Sequence, residues 1–264
     1  MPVLADMDMA REIILPALAG YGDQTLKLQG VLNGDGPVRD VRVDNFHSPT
    51  AVMLKVGPFL NFFARDAEIG RHLLQELSWH WSKPMAFAGV PEELVALIEE
   101  CADLEWNQPC HQYYLPGSVN LSELRSEVSA VLDLGQPSED HIELILEHWP
   151  YGDPDSMDDQ EFILRRLADG ICSGYFDGEQ LVSWALTGDD LSMGLMHTLP
   201  SHRRMGIARL VTAHLTVQLA DQGHTPYCYV VAGNEPPVGL LEGMGYVRSE
   251  GRYCWLGTSP RAAR

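Results

Sequence analysis

The chain has 264 residues, 18 of them Lys or Arg and 37 Asp or Glu, which gives a formal net charge of −19. Nucleic acids and anionic membranes bind basic surfaces, so this charge argues against both as partners. No apolar run reaches the ~18 residues of a membrane span, and the acidic start differs from secretory and mitochondrial leaders. Five cysteines without CxxC spacing indicate reduced thiols, so we expect a soluble cytoplasmic protein without disulfides or a zinc site.

The first half of the chain alternates predicted helices and strands, which favours an α/β architecture. Apolar residues recur at helical spacing from Met9 to Leu18. Further along, apolar runs with turn residues around them predict strands, and amphipathic runs predict helices. The predicted strands are 25–32, 51–56, 59–63, 84–88 and 110–115, and the predicted helices are 67–77 and Pro91 to about Ala102.

Residues 117–137 are typical of a connecting stretch with some helical periodicity. This stretch ends in Gly135 and Pro137, and such residues commonly interrupt regular structure. We therefore expect two domains, 1–133 and 138–264.

The second half shows a distinctive order of predicted elements. It begins with a helix at 139–149 and a second helix that ends near Ala168, before Gly170. Asp177-Gly178 is a strong hairpin signal between two apolar runs. The remaining predicted elements are strands 171–176, 180–187, 190–199 and 226–231, helices 207–222 and 235–243, and two final strands at 246–249 and 252–256.

The run RRMGIAR, residues 203–209, joins a predicted strand to the predicted helix 207–222. The first amides of a helix have no internal partners and the helix dipole is positive there, so this turn predicts a phosphate site. Gly206 allows close approach of the backbone, and Ala208 keeps the first helical turn thin. A capped helix with surface arginines is the alternative for such a run alone. The residues assigned to the phosphate site are Arg203, Arg204, Met205, Gly206, Ile207, Ala208 and Arg209.

The elements around this turn give the second half a resemblance to a known superfamily. Strand 226–231, Asn234 and the run LLEGMGY follow the turn. Over about residues 138–257 this order resembles the GCN5-related N-acetyltransferase (GNAT) superfamily, whose R/Q-x-x-G-x-G/A turn binds the diphosphate of acyl-CoA. The resemblance implies acetyl-CoA or another acyl-CoA as co-substrate. No metal is expected, because His141 and His148 do not have HExxH spacing. The resemblance also implies that the backbone of Met196 and Thr198 pairs with the pantetheine arm, which Asn234 faces.

The chain is also similar to the glycine N-acyltransferase-like family. Its run TLPSHRRMGIARLV matches the TLPEYR-x-x-G run of that family. The runs QGVLNGDGP, SPTAVMLKV and KPMAFAGVPEELVALIEE are similar to the family's N-terminal region. This resemblance implies two tandem GNAT-like domains of α/β (α+β) class, each a mixed sheet with flanking helices, of which the N-terminal one is degenerate.

The catalytic residues fit the family pattern less well than the phosphate site. A carboxylate, or a water that it holds, usually accepts the amine proton, and the resemblance places the family's Glu at Ser192. Serine cannot serve as this base but can hold a water. Asp190 would act through that water, on the same face if strand 190–199 is regular, and His197 is a further candidate. The Tyr that protonates the thiolate in many such enzymes falls at Leu241, so a thiolate of pKa ~8.5 would leave directly.

The only indication of the acceptor amine in the sequence is the charge of one segment. The resemblance implies that the loop at 152–161 borders the acceptor site, and this loop carries five carboxylates, which would favour a cationic amine. Glycine, another amino acid, a polyamine and a peptide N-terminus all stay open, as does a homodimer. We expect an N-acyltransferase that works by direct attack in a ternary complex. The alternative is a catalytically degenerate module that binds acyl-CoA or a protein partner.

Overall fold

The computed structural model describes residues 3–4, 7–34, 36–75, 81 and 83–260. Contacts divide the chain into two compact units. The first unit comprises Met1–Tyr113, Tyr229–Glu235 and Arg248–Arg264, and the second comprises Tyr114–Cys228 and Pro236–Val247. The domain limits 1–133 and 138–264 stay a prediction.

Helices and strands alternate through the first part of the chain. The first helical segment runs from Met7 to Ala19 and contains a π-helical stretch, Ala10–Ile14. The elements in this part are β1 (Val3–Leu4), α1 (Met7–Met9), α2 (Leu15–Ala19), α3 (Leu26–Asn33), β2 (Val38–Val43), β3 (Ala51–Val56), β4 (Phe59–Ala64), α4 (Ala67–Gln75), β5 (Met85–Pro91), α5 (Val95–Cys101) and β6 (Asp103–Tyr114).

The rest of the chain contains the 15-residue helix α9. Its last strand, β12, belongs to the first unit from Arg248 onward. The elements are α6 (Ser122–Ser129), β7 (Leu134–Gly135), α7 (Ile142–Glu147), α8 (Met157–Asp169), β8 (Cys172–Asp177), β9 (Gln180–Thr187), β10 (Met193–Thr198), α9 (Ile207–Asp221), β11 (Tyr227–Val231), α10 (Pro236–Glu242) and β12 (Val247–Ser259). None of the helices in the described ranges is long and apolar enough to cross a membrane.

The first unit is a mixed sheet with helices on both faces. Its strands lie in the order β1-β2-β3-β4-β5-β12-β6, with β4 and β5 parallel and β12 antiparallel to β5. Successive side chains of β3 pack into two different hydrophobic clusters, because side chains alternate between the two faces of a strand. Met53 packs in the cluster that includes Leu74 and Ile98, and Leu54 in the cluster that includes Ile14 and Leu32.

The second unit also has helices on both faces of its strands. Its strands lie in the order β11-β10-β9-β8-β7, and β10 runs parallel to β11 and antiparallel to β9. Trp184 of β9 packs with Ile145 of α7 and Ile163 of α8 on one face. On the opposite face Ser173 of β8 shares a hydrogen bond with His214 of α9, 3.0 Å between Oγ and Nδ1. Helices therefore cover both faces, as in the α/β class predicted from the sequence.

Two predicted elements are wrong, and both errors have a physical cause. Residues 25–32 form the helix α3 with the preceding turn, not a strand. The alternation of Leu26 and Leu28 with polar residues imitates a strand, but Leu28, Val31 and Leu32 share one helical face in the core. The two final strands are the single strand β12, because Gly251, which suggested a turn, is part of the extended backbone.

Other elements were not predicted as such, β1 among them. β2 alternates valine with charged residues and was not predicted, although Val41 and Val43 are buried. The stretch 117–137, expected to be mainly a connection, contains α6 and β7, and α6 packs against α9.

Candidate functional site

The strand β10 is interrupted along its length. It pairs with β9 at Gly194 and again at His197, and the register shifts between these positions. Leu195, inside this bulge, has a φ of 48°, which is uncommon for a residue other than glycine. Within the second unit, β10 pairs with β11 at Met193 and Cys228. The backbone groups of β10 after Met193 therefore do not pair with this part of β11.

The turn between β10 and α9 presents an open helix start. Gly206 is the N-cap of α9, with φ 80° and ψ −5°. A Cβ added to Gly206 would meet no atom within 4 Å. The amides of Ile207 and Ala208 point out of the helix start, where they lack acceptors within the helix. Arg204, with a φ of 65°, is exposed beside them. This open, positively polarised turn fits a phosphate group.

The arginines of this turn differ in what they contact. Arg203 donates from Nε to the carbonyl oxygen of Thr198, 2.9 Å away. Arg209 donates from Nε and Nη2 to the carboxylate of Glu127, at 3.0 and 3.1 Å, and from Nη1 to the carbonyl oxygen of Gly243. Arg209 therefore links α6 to the end of α10, whereas the exposed Arg204 stands at the helix start.

The two residues expected beside the pantetheine arm lie on β10 as predicted. Thr198 shares a hydrogen bond with Ser183 of β9, 2.8 Å between the two Oγ atoms. Met196 lies in the bulge and is 39% exposed. Met205, in the turn, is 64% exposed. The turn at 203–209 contacts this strand through Arg203, which donates to the Thr198 carbonyl oxygen.

The corresponding helix start in the first unit is closed. Helix α4 follows β4 as α9 follows β10, but Asp66 precedes it. The Asp66 carboxylate accepts hydrogen bonds from the amides of Glu68 and Ile69, at 2.8 and 3.3 Å. An internal carboxylate therefore occupies the amides that an anion would need, and it adds negative charge there.

Asp190 and Ser192 lie in a turn before β10, because that strand begins at Met193 and not at residue 190. Their expected projection from one regular strand face is therefore wrong. One Asp190 oxygen accepts from the amide and from the hydroxyl of Ser192, at 3.1 and 2.6 Å. Tyr227 donates to the Asp190 carbonyl oxygen at 2.5 Å. Asp190 is 6% exposed, so its carboxylate stabilises this turn directly, and the catalytic role of both residues stays a prediction.

The position expected for an acid in the penultimate helix holds an apolar residue. Leu241 of α10 is 1% exposed, so the position expected for the thiolate-protonating Tyr is part of the core. Asn234 belongs to the first unit, is exposed, and donates its amide hydrogen to the Val231 carbonyl oxygen at 2.9 Å. Its role toward the pantetheine arm stays a prediction.

A cluster of three rings was not predicted as a unit. His197 of β10 lies nearly parallel to Trp184, with ring centroids 5.1 Å apart, and His148 stands at 60° to His197 at 4.4 Å. Burial lowers the pKa of His197, and the charges of His148 and Arg203 lower it further. The pKa of His197 therefore lies below its usual value, which favours the neutral ring. No spacing in the sequence connects residues 148, 184 and 197, because strand register and helix packing bring them together.

The predicted acidic loop at 152–161 is a loop only up to Ser156, because α8 begins at Met157 and includes Asp158, Asp159 and Glu161. Some of its carboxylates bond within the segment. Asp159 accepts from the amide of Asp153 at 2.9 Å, and Asp153 accepts from the amide of Asp155 at 3.0 Å. Asp155, Asp158 and Glu161 are exposed. No group of three His, Cys, Asp or Glu side chains suited to a metal ion occurs in the described part of the chain.

Comparison with known proteins finds similarity over part of the chain. The family described as FR47-like protein matches residues 169–256. Human glycine N-acyltransferase-like protein 2 is 28% identical over 107 residues, a region that covers 40% of this chain and 36% of the human protein. The match therefore spans only about a third of that relative.

Several solved structures superpose on this chain over nearly its whole length. A Drosophila protein superposes with a TM-score of 0.78 at 14% identity and covers 99% of both chains. A tandem GNAT protein from the clavulanic acid biosynthesis pathway superposes with a TM-score of 0.60 at 13% identity, covering 100% of this chain and 99% of that one. A GCN5-related N-acetyltransferase-like protein from Streptococcus suis gives a TM-score of 0.55 at 17% identity, with 96% and 99% covered.

Proposed function

We propose that this chain, which carries an FR47-like domain of the GNAT superfamily in its second half, is an acyl-CoA-dependent N-acyltransferase of the cytoplasm. The open start of α9 carries this proposal. Gly206 leaves the space in front of the first amides clear, and the exposed Arg204 provides positive charge beside it. In a chain with a net charge of −19, this is a favourable place for the diphosphate of acyl-CoA.

The rest of the acyl-CoA would follow β10. The backbone of Met196 and Thr198 would pair with the pantetheine arm, and Asn234 would face it. The register shift between β10 and β9 next to Leu195 supports this placement. At such a bulge some backbone groups of β10 do not hydrogen-bond to β9 and can bind a ligand. Backbone amides there would polarise the thioester carbonyl.

The proposed reaction is direct attack by a primary amine in a ternary complex. The amine nitrogen forms a bond to the thioester carbon, the carbon–sulfur bond breaks, and the sulfur leaves as the CoA thiolate. A thiolate of pKa ~8.5 is a tolerable leaving group near neutral pH, so the apolar Leu241 does not prevent turnover. Asp190 acting with Ser192 is the base proposed from the sequence.

The proposed acceptor is a cationic primary amine or a peptide N-terminus. The exposed carboxylates of the loop at 152–161 support a cation over a free anionic substrate. A second candidate function is a module that binds acyl-CoA without turnover. The buried Leu241, in place of a proton-donating Tyr, favours this alternative.

Two measurements test the proposal. Calorimetric titration with acetyl-CoA and longer acyl-CoAs should show binding, and Arg204→Glu should abolish it while the thermal unfolding transition persists. Release of free CoA thiol should then depend on an amine from a panel of amino acids, polyamines and peptides. Binding without thiol release would favour the binding module, and absence of binding would refute both functions.

A further inference from the structure

Two histidines meet on the face of the second unit that α7 and α8 cover. His148, the residue after α7, stands edge-on to His197 and to Trp184, with centroid distances of 4.4 and 5.8 Å. Trp184 is 2% exposed and is packed in the core. The indole therefore gives both imidazoles a rigid support, and His148 is held beside β10 at the start of the acidic loop.

The hydrogen bonding of His148 specifies which of its nitrogens is basic. Nδ1 of His148 lies 3.0 Å from the carbonyl oxygen of Leu144. A carbonyl oxygen only accepts hydrogen bonds, so Nδ1 carries the hydrogen and, in the neutral ring, Nε2 holds the free electron pair. In the described ranges no side chain or backbone group bonds to this Nε2. An imidazole oriented through one nitrogen, with the other available, is the arrangement of a general base.

The neighbours of His148 suit a proton acceptor. His197, the ring in contact with it, has its pKa lowered by burial, which favours the neutral form of that ring. Nε2 of His197 is itself buried without a hydrogen-bond partner, so His197 is closed to substrate in this structure. His148 is partly exposed, and the segment after it carries the exposed Asp155 in the loop and Asp158 in the first turn of α8. These carboxylates would attract an ammonium group to this part of the second unit.

On the basis of the proposed acyl transfer, we propose that His148, in place of the buried Asp190 with Ser192, is the base that deprotonates the acceptor amine. One proton of the ammonium group passes to Nε2, and the neutral amine attacks the thioester carbon. The second proton leaves the nitrogen for solvent as the carbon–sulfur bond breaks, and the sulfur departs as the CoA thiolate. The products are the amide, the CoA thiolate and a His148 imidazolium, which returns its proton to solvent.

The assignment is tested with two histidine variants of the full chain. His148→Gln keeps a polar side chain but cannot accept a proton, so kcat should fall by about 10²–10⁴-fold, the usual contribution of a general base. Acyl-CoA affinity should stay unchanged. His141→Gln is the matched control, because His141 precedes the same helix and its Nδ1 also contacts a local backbone group, that of Ser138. This control should retain the wild-type rate.

A rescue experiment separates a base from a structural residue. In His148→Ala, added imidazole should restore turnover, and more basic imidazoles should restore it further. Wild-type turnover that survives in His148→Gln would overturn the assignment, and so would a loss that imidazole does not rescue. A wild type that binds acyl-CoA but acylates no amine would refute the proposed transferase, and with it this role for His148.

Discussion

A substitution at Gly206 tests the acyl-CoA site with only a limited effect on the stability of the fold. Gly206 has a φ of 80°, in the left-handed region, where a residue with a Cβ costs about 1–2 kcal/mol. A Cβ there would meet no atom within 4 Å, so Gly206→Ala adds this strain without a clash. The methyl group would, however, occupy the space in front of the first amides of α9. We expect the free energy of unfolding to fall by only that amount, and acyl-CoA affinity to fall at least about tenfold, or 1.4 kcal/mol.

Gly223, just beyond the other end of α9, is the matched control for this substitution. It has the same φ of 80° and no atom within 4 Å of an added Cβ. Gly223→Ala should therefore lose a similar free energy of unfolding in urea titrations but keep wild-type acyl-CoA affinity by calorimetry. Unchanged affinity in Gly206→Ala, or an equal loss of affinity in both variants, would refute the assignment of the phosphate site.

Two further predictions concern stability. Burial lowers the pKa of His214, so its contribution is present above the unfolded value of 6.5 and is lost as pH falls through the folded value. Urea unfolding below pH 6.5 should show wild-type stability falling faster than that of His214→Gln, by at most about 1.4 kcal/mol per pH unit. Equal slopes would contradict this linkage. Asp190→Ala removes the acceptor of two Ser192 groups and should cost about 1–3 kcal/mol, whereas Asp190→Asn keeps an oxygen and should cost less. Equal losses in thermal unfolding would contradict that account of the turn.

The sequence predicts the fold best where the local signals in it do not compete. The Asp177-Gly178 hairpin and the helix α9 were predicted because turn residues and apolar periodicity agree there. The prediction failed at α3, where the period of two in residues 25–32 competes with a helical face that only the core reveals. β2 was missed because its charged residues hide the two buried valines.

The same contrast applies to the candidate site. The turn at 203–209 is contiguous in the sequence, so its chemistry could be predicted from residue types and the position before a helix. The contact of His148 with His197 could not, because it depends on how α7 packs on the sheet and on the register of β10. Likewise, the direct bonding of Asp190 to Ser192 depends on where the strand begins.

The number of acyl-CoA molecules bound per chain tests the central claim most directly. Helix α9 has an open start, whereas Asp66 caps the amides at the start of α4. Equilibrium dialysis against radiolabelled acetyl-CoA should therefore give one bound molecule per chain, and Gly206→Asp should reduce this to none. Two molecules per chain, or one that persists in Gly206→Asp, would contradict the account.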